Sequence, residues 1–215
     1  MTEGWQTGGV AETDEKADLK EYLQEAREAL LWKLDGLSEY DIRRPMTPTG
    51  TNLLGVVKHV ASVELGYFSD TFGRPFGEKL AWEVSDEDLR RLGELGPDVL
   101  VADLWATADE SREEIVGLYR RVQAHSDETI DSLPLDAPGH VKWWSPGHND
   151  VTLHRILVHV IAETHRHAGQ LDIVRELIDG AVGVSQEGTN MPTADKAWWE
   201  AYRAKLERVA REAGS

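Results

Sequence analysis

The chain has 215 residues, with 39 acidic and 23 basic side chains and a formal net charge of −16. This length is sufficient for one domain with a sizeable hydrophobic core. The negative charge repels phosphate backbones and anionic lipid surfaces, which argues against nucleic acid and membranes as partners. No apolar run approaches the roughly 20 residues that cross a bilayer.

The sequence contains no cysteine. The chain therefore forms no disulfides and offers neither a cysteine nucleophile nor thiolate ligands for a metal ion. Any metal must be held by nitrogen and oxygen atoms, and any thiol chemistry must use a thiol supplied from outside.

The amino-terminal sequence lacks the basic start and apolar core of a signal peptide, so we expect a cytoplasmic protein. Residues 1–16 are acidic and carry no helical pattern, and we expect them to be a disordered lead-in. Helical patterns dominate residues 17–215, which we expect to form a single domain.

Four long segments carry apolar residues at spacings of three and four, the pattern of amphipathic helices. The first extends from about Asp18 to Leu37. The second begins after Thr51 or Asn52, either of which is a plausible N-cap, and ends at Gly73. A loop of more than 20 residues follows, in which Ser85 begins the pattern of a short capped helix.

The third predicted helix opens after Pro97 and continues to Val122. The fourth covers Leu153 to Gly180, with Asp150 or Thr152 as its N-cap and the glycine as its end. A shorter helix is predicted from about residue 193 to residue 211.

Strand alternation and internal repeats are absent from the sequence. The order of elements predicts an all-α protein, a four-helix bundle with an additional C-terminal helix and long connecting loops. Loops of this length in a compact domain are usually functional or disordered.

The fourth helix carries four histidines, and its periodicity separates them into two pairs. With successive residues about 100° apart, His159 and His167 each lie about 40° from Glu163, on an apolar stripe. His154 and His165 lie on the opposite side and point outward. Only the first pair and the glutamate can therefore face the core.

An ionised glutamate is almost never fully buried unless it is paired or bound to a metal. Glu163 and His167 are four residues apart, so both side chains project toward one point. On the second helix, His59 is a single imidazole on an apolar face and can supply a third ligand. Two histidines and a carboxylate are typical of catalytic zinc, and also of mononuclear iron oxygenases.

Each of these residues also has a simpler interpretation. A lone inward histidine such as His59 is more often a hydrogen-bonded core residue than a ligand. The glutamate–histidine pair fits a buried hydrogen-bonded pair as well as a metal site. His159 is a reserve ligand or a residue that orients Glu163 from outside the ligand set. Trp143 and Trp144 are loop anchors or part of a pocket wall for a ring or sugar.

Two segments, "TNLLGVVKHVASVELGYF" and "VTLHRILVHVIAETHRHAGQLDIVRELIDG", resemble the DinB-like (YfiT-like) helical bundle proteins. The resemblance is strongest to the actinobacterial branch of mycothiol-dependent S-transferases and covers nearly the whole chain after the lead-in. Its most specific part is Glu-x-x-x-His-Ala-Gly followed by Asp-Ile-Val-Arg-Glu.

This resemblance implies that His59, Glu163 and His167 bind a divalent metal, usually zinc. It implies a metal-dependent S-transferase in which the metal activates mycothiol or a similar small thiol. The metal-bound thiolate then attacks a small electrophile, with no further catalytic residue. Gln170 stands where relatives often carry a second histidine, and it is expected to contact substrate together with the tryptophan pair. His159 is expected to support the ligands.

The resemblance leaves other functions open. A thiol-dependent isomerase of the maleylpyruvate isomerase type would use the same metal and thiol but return the thiol unchanged. A non-catalytic, stress-related bundle would use the metal structurally. Either a detoxifying or a biosynthetic role fits, and members of this fold often form homodimers.

Overall fold

The computed structural model describes residues 14–82 and 94–214, which are mostly helical, as predicted. The helices are α1 (Glu15–Trp32), α2 (Glu39–Arg43), α3 (Leu53–Phe68), α4 (Pro97–Leu100), α5 (Arg112–Ser132), α6 (Leu153–Asp179) and α7 (Lys196–Ala213). A 3₁₀ turn covers Asp70–Phe72, and two short strands are β1 (Pro138–His140) and β2 (Asp150–Thr152). Within the described ranges, no helix is long and apolar enough to cross a membrane.

Four helices, α1, α3, α5 and α6, form the bundle. Helix α3 packs against both α5 and α6, and α1 packs against α6. The core consists of two clusters of buried apolar side chains. One includes Leu30, Val57, Tyr119 and Leu171, and the other includes Leu23, Phe68, Ile130 and Ile156. The predicted all-α bundle is therefore confirmed.

Local capping residues begin and end the two site-bearing helices. The side chain of Asn52 accepts a hydrogen bond from the backbone nitrogen of Gly55 at 2.7 Å and begins α3. The hydroxyl of Thr152 accepts from the backbone nitrogen of Arg155 at 3.3 Å and begins α6. Gly180 ends α6 with a φ of 80°, a left-handed conformation that favours glycine.

Two predicted helix boundaries are wrong. The first helix ends at Trp32 instead of Leu37, and α2 follows it. The second helix ends at Phe68, after which the 3₁₀ turn leads to Gly73 at a φ of 63°. Helix α1 begins at Glu15 and so includes the last two residues of the predicted lead-in. Residues 1–13 of the lead-in lie outside the described ranges. The short helix predicted to begin at residue 85 also lies outside them.

The predicted third helix is also wrong, because the structure divides it. Helix α4 ends at Leu100 and α5 begins at Arg112. The hydroxyl of Ser111 accepts from the backbone nitrogen of Glu114, and the Glu114 carboxylate accepts from the backbone of Ser111, so a capping box starts α5. Residues 101–111, here called the 101–111 segment, form no helix and pack against α3.

A small antiparallel sheet lies in the loop before α6, where no strand was predicted. Gly139 of β1 pairs with Val151 of β2. Three residues per strand are too few to produce a visible alternation in the sequence, which explains the error. The hairpin encloses the tryptophan pair and leads directly into α6.

Helix α7 stands apart from the bundle. The side chain of Asp195 caps its first turn by accepting from the backbone nitrogens of Ala197 and Trp198. In the part of the chain that the structure describes, none of the 18 residues of α7 is buried. The bundle core therefore does not depend on this helix.

Candidate functional site

The three predicted metal ligands meet where α3 faces α6. The rings of His59 and His167 have their centroids 5.0 Å apart and are nearly perpendicular, at 78°. One carboxylate oxygen of Glu163, Oε2, lies 3.9 Å from Nε2 of His167. The side chains of His167 and Glu163 are 15% and 32% exposed, so the group is accessible from one side.

Each of the two histidines has its Nδ1 atom engaged by an oxygen acceptor. Nδ1 of His59 lies 2.8 Å from Oδ2 of Asp103, and Nδ1 of His167 lies 2.9 Å from Oε1 of Gln170. A carboxylate or amide oxygen accepts a hydrogen bond, so Nδ1 of each ring carries the hydrogen. In the neutral form of either ring the lone pair is then on Nε2, the arrangement of metal-bound histidines whose other nitrogen is fixed by an outer partner.

The distances within the group are close to those of a zinc site. Tetrahedral bonds of about 2.0–2.2 Å place two coordinated histidine rings roughly 5 Å apart and two neighbouring ligand atoms roughly 3.3 Å apart. The separation of the His59 and His167 rings is 5.0 Å, and the contact between Glu163 and His167 is 3.9 Å. The donor atoms therefore fit a divalent metal chemically and are near its geometry.

The three side chains are not arranged as a metal site in the observed conformation. Among residues 14–82 and 94–214, no three histidine, aspartate or glutamate side chains are positioned so that they could hold one metal ion. The contact of 3.9 Å between Glu163 and His167 is about 0.6 Å longer than the ligand spacing given above, and the Glu163 side chain is one-third exposed.

Burial favours the neutral form of the inward histidines of α6. Burial lowers the pKa of His167, and the neighbouring His59 lowers it further, against the opposing effects of Gln170 and Glu163. Burial likewise lowers the pKa of His159, and Arg155 adds to this while Glu163 opposes it. A neutral imidazole is the form that binds a metal ion.

A cavity of about 1110 Å³ is open to solvent and lies beside the histidine pair, although neither His59 nor His167 is among the described residues that line it. On the side of the pair it is lined by Asp103, His159 and Glu163. Aromatic side chains also line it, namely Tyr67, Phe76, Trp82 and Trp143, together with charged side chains that include Asp70, Glu78, Lys79 and Lys142. A cavity of this volume that combines aromatic and polar side chains can hold a small molecule.

The residues predicted to contact substrate occupy different positions. Of the described residues that line the cavity, Trp143 is one and Trp144 and Gln170 are not. Nε1 of Trp144 donates to the hydroxyl of Tyr67 at 3.1 Å, and its ring packs edge-on against His159. Trp144 is thus an anchor behind the cavity wall, while Gln170 contacts His167.

His159 lies beside the three predicted ligands and belongs to a separate hydrogen-bonded pair. Its Nε2 lies 2.9 Å from the hydroxyl oxygen of Tyr67, which also accepts from Trp144. This contact occupies Nε2, one of the two ring nitrogens through which a histidine can bind a metal. The position agrees with a supporting role next to Glu163 and does not make His159 a fourth member of the group.

Asp103 is the site residue that sequence reasoning missed. It lies in the 101–111 segment, whose apolar spacing predicts a helix, and nothing in that pattern links it to a histidine 44 positions earlier. Only the packing of the segment on α3 brings the two side chains together.

The comparison with known families agrees with this geometry. The model of the mycothiol-S-transferase family matches residues 18–180, about three quarters of the chain. The matched range contains the bundle, the three predicted ligands and the cavity, and it ends where α6 ends, before α7. A search of curated proteins gives no match. The chain belongs to the mycothiol-S-transferase family.

Proposed function

We propose that this protein is a metal-dependent S-transferase that conjugates mycothiol, or a similar low-molecular-weight thiol, to a small electrophile. His59, Glu163 and His167 would hold a divalent metal, most simply zinc. The observation that supports this is the pair of histidines whose Nδ1 atoms are both engaged by oxygen acceptors, with their rings 5.0 Å apart. The family match supports the thiol as co-substrate.

Three protein ligands leave a position open for an exogenous group, as in catalytic zinc sites. A metal ion bound there would supply Lewis acidity, which deprotonates a coordinated thiol near neutral pH. The transfer itself forms a sulfur–carbon bond and breaks the bond from that carbon to its leaving group, and the thiol proton is released. The chain has no cysteine that could compete for the open position.

The cavity residues would bind and orient the electrophile. Trp143 and Phe76 present aromatic faces that pack against a ring or an apolar chain. Tyr67, with its hydroxyl held by Trp144 and His159, keeps one wall rigid. The cavity meets the proposed metal ligands at Glu163, so an electrophile bound in it would lie next to a thiol held at the open position.

The test uses the full-length protein. Elemental analysis of the purified chain should find close to one divalent metal ion per chain. With mycothiol and monobromobimane, the protein should form the bimane conjugate. It should lose this activity after treatment with a chelator and regain it with added zinc. Conjugation that survives complete removal of the metal would contradict the proposal.

The same experiment separates the remaining alternatives. An S-transferase consumes one thiol for each product, whereas an isomerase returns the thiol, so the thiol concentration measured during turnover distinguishes them. Removal of a structural metal by chelation would unfold the protein, which circular dichroism would detect. Removal of a catalytic metal would leave a folded and inactive bundle.

We place the protein in the cytoplasm, where a small-thiol pool is available.

A further inference from the structure

We propose that Asp103 is a positioning residue that fixes the ring of His59 and directs its Nε2 atom toward the metal. This inference rests on the proposed function of the histidine pair. Oδ2 of Asp103 lies 2.8 Å from Nδ1 of His59, and the two side chains are 21% and 26% exposed. At this partial burial the charged acceptor is screened less than on the open surface, so the contact can hold the ring in place.

The backbone next to Asp103 is fastened to α3. The carbonyl oxygens of the two residues that follow Asp103 accept hydrogen bonds from side chains of this helix and of its N-cap. Nδ2 of Asn52 donates to the Leu104 carbonyl at 3.2 Å, and Nζ of Lys58 donates to the Trp105 carbonyl at 3.0 Å. Asn52 and Lys58 belong to the N-cap and the first half of α3, which also carries His59. The Asp103 carboxylate and the His59 imidazole are therefore held in a fixed relative position.

The other end of the 101–111 segment is fastened as well. Nζ of Lys58, whose side chain is almost fully buried, lies 2.8 Å from a carboxylate oxygen of Glu110. From α2, Arg43 donates to the carbonyls of Thr107 and Glu110 at 2.9 and 2.7 Å. The segment is therefore held by groups from two helices, although it has no regular structure of its own.

Gly55 permits this close approach. A Cβ atom at this position would lie 1.9 Å from the carbonyl oxygen of Leu104, which no side chain can tolerate. Three residues within five positions of α3 contact the 101–111 segment. Gly55 leaves space for its backbone, Lys58 binds a carbonyl and a carboxylate of the segment, and His59 contacts Asp103. This part of α3 therefore positions the Asp103 carboxylate beside the imidazole of His59.

A carboxylate that accepts from the remote nitrogen of a ligand histidine fixes its tautomer and increases the basicity of the other nitrogen. Loss of such a partner typically weakens metal binding by roughly 10–100-fold. Asp103 is the only charged partner in the two contacts, since Gln170 holds His167 with a neutral amide. Removal of Asp103 should therefore affect the site more than removal of Gln170.

The experiment compares the wild-type chain with Asp103→Asn and with Asp109→Asn, which removes an exposed carboxylate from the same segment. Zinc affinity is measured by competition with a chromophoric chelator. We expect Asp103→Asn to bind zinc roughly 10–100-fold more weakly and Asp109→Asn to match the wild type. Asp103→Glu, which keeps the charge, should recover part of the loss.

A second readout needs no metal. Long-range ¹H–¹⁵N spectra of the metal-free protein report which nitrogen of His59 carries the hydrogen. We expect the Nδ1–H tautomer in the wild type and in Asp109→Asn, and a mixture of tautomers in Asp103→Asn. Gly55→Ala, which displaces the segment without touching either side chain, should produce the same mixture, and thermal unfolding verifies that each variant is folded.

Equal zinc affinity and an unchanged His59 tautomer in folded Asp103→Asn would overturn the inference. So would an equal loss of affinity in Asp109→Asn, because the effect would then be one of general charge. If the wild-type chain binds no zinc, the proposed function fails instead, and the tautomer of His59 still decides whether Asp103 orients the ring.

Discussion

Arg27 and Glu64 form an ion pair in the interior of the bundle, where their side chains are only 2% and 0% exposed. Two hydrogen bonds join the groups, from Nη2 to Oε1 at 2.5 Å and from Nε to Oε2 at 3.2 Å. Arg27 also donates to Asp127 at 2.9 Å, so the guanidinium links α1 to both α3 and α5. Burial alone lowers the pKa of Arg27, but the two carboxylates outweigh it and the net shift is upward.

Substitution of Arg27 by methionine should destabilise the bundle strongly. The change leaves the Glu64 carboxylate buried without its cationic partner, which typically costs about 3–5 kcal/mol. A change that breaks the surface pair between Lys20 and Asp131, Lys20→Met, should cost about 0–1 kcal/mol, since that pair is largely solvated. Urea unfolding measures both.

The double variant Arg27→Met with Glu64→Leu provides the control for this interpretation. Removal of both charges should restore much of the lost stability, because the unpaired carboxylate and not the altered packing causes the loss. A double variant as unstable as the single one would show that packing dominates.

The contact between Lys58 and Glu110 should make stability depend on pH. Burial raises the pKa of Glu110, but hydrogen bonds from Lys58 and from the backbone of Thr107 outweigh it and lower the pKa below the ordinary value of 4.5. A carboxylate with a lowered pKa in the folded state stabilises the protein above its unfolded pKa, and this contribution is lost as the pH falls through the folded value.

Glu110→Gln should therefore be less stable than the wild type at pH 7, and the difference should shrink as the pH falls below 4.5. Urea midpoints at neutral and acid pH measure this difference. Glu113→Gln, which changes an exposed glutamate in the first turn of α5, is the control for the general loss of one carboxylate. A difference for Glu110→Gln that stays constant with pH would contradict the assignment.

The histidines of α6 offer a matched comparison of inward and outward positions. His167→Ala removes a proposed ligand, and we expect zinc affinity to fall by more than the roughly 10–100-fold typical of a lost outer partner. His165→Ala removes an exposed imidazole from the same helix, and both metal content and conjugation should persist. Elemental analysis and the bimane assay provide the measurements. Equal effects of the two substitutions would contradict the proposed ligand set.

Helix α7 should be dispensable for the stability of the bundle. A chain that ends at Met191 lacks α7, and we expect its far-UV circular dichroism to lose the signal of those 18 helical residues while its unfolding midpoint changes little. The physical reason is that, among the described residues, no side chain of α7 is buried.

A shorter chain that ends at Gly180 is the informative comparison. It also removes Gly183, whose carbonyl accepts a hydrogen bond from Nζ of the buried Lys33. Loss of a partner from a buried polar group costs about 1–3 kcal/mol, so this chain should be measurably less stable than the one that ends at Met191. Nζ of Lys33 also pairs with Asp172 of α6, so equal stability of the two chains would show that Asp172 alone satisfies the lysine.

The sequence by itself determined the helical bundle and placed Glu163 and His167 on one face of α6. Residues on a long helix are related by a fixed rotation of about 100°, so a polar residue on an apolar stripe must face the core whatever the rest of the chain does. The family resemblance agreed with that reasoning. The end of α6 at Gly180 was equally local, because a left-handed glycine ends a helix without help from distant residues.

Only the tertiary structure decided the positions of Asp103 and of the ion pair between Arg27 and Glu64. Residues 101–111 have the apolar spacing of a helix, yet their carbonyls are bound by Asn52, by Lys58 and by Arg43 of α2. Periodicity describes one element at a time and contains no information about which distant donors will compete for its backbone. The position of the Asp103 carboxylate beside His59 therefore arises from contacts between elements, which the pattern along the chain does not record.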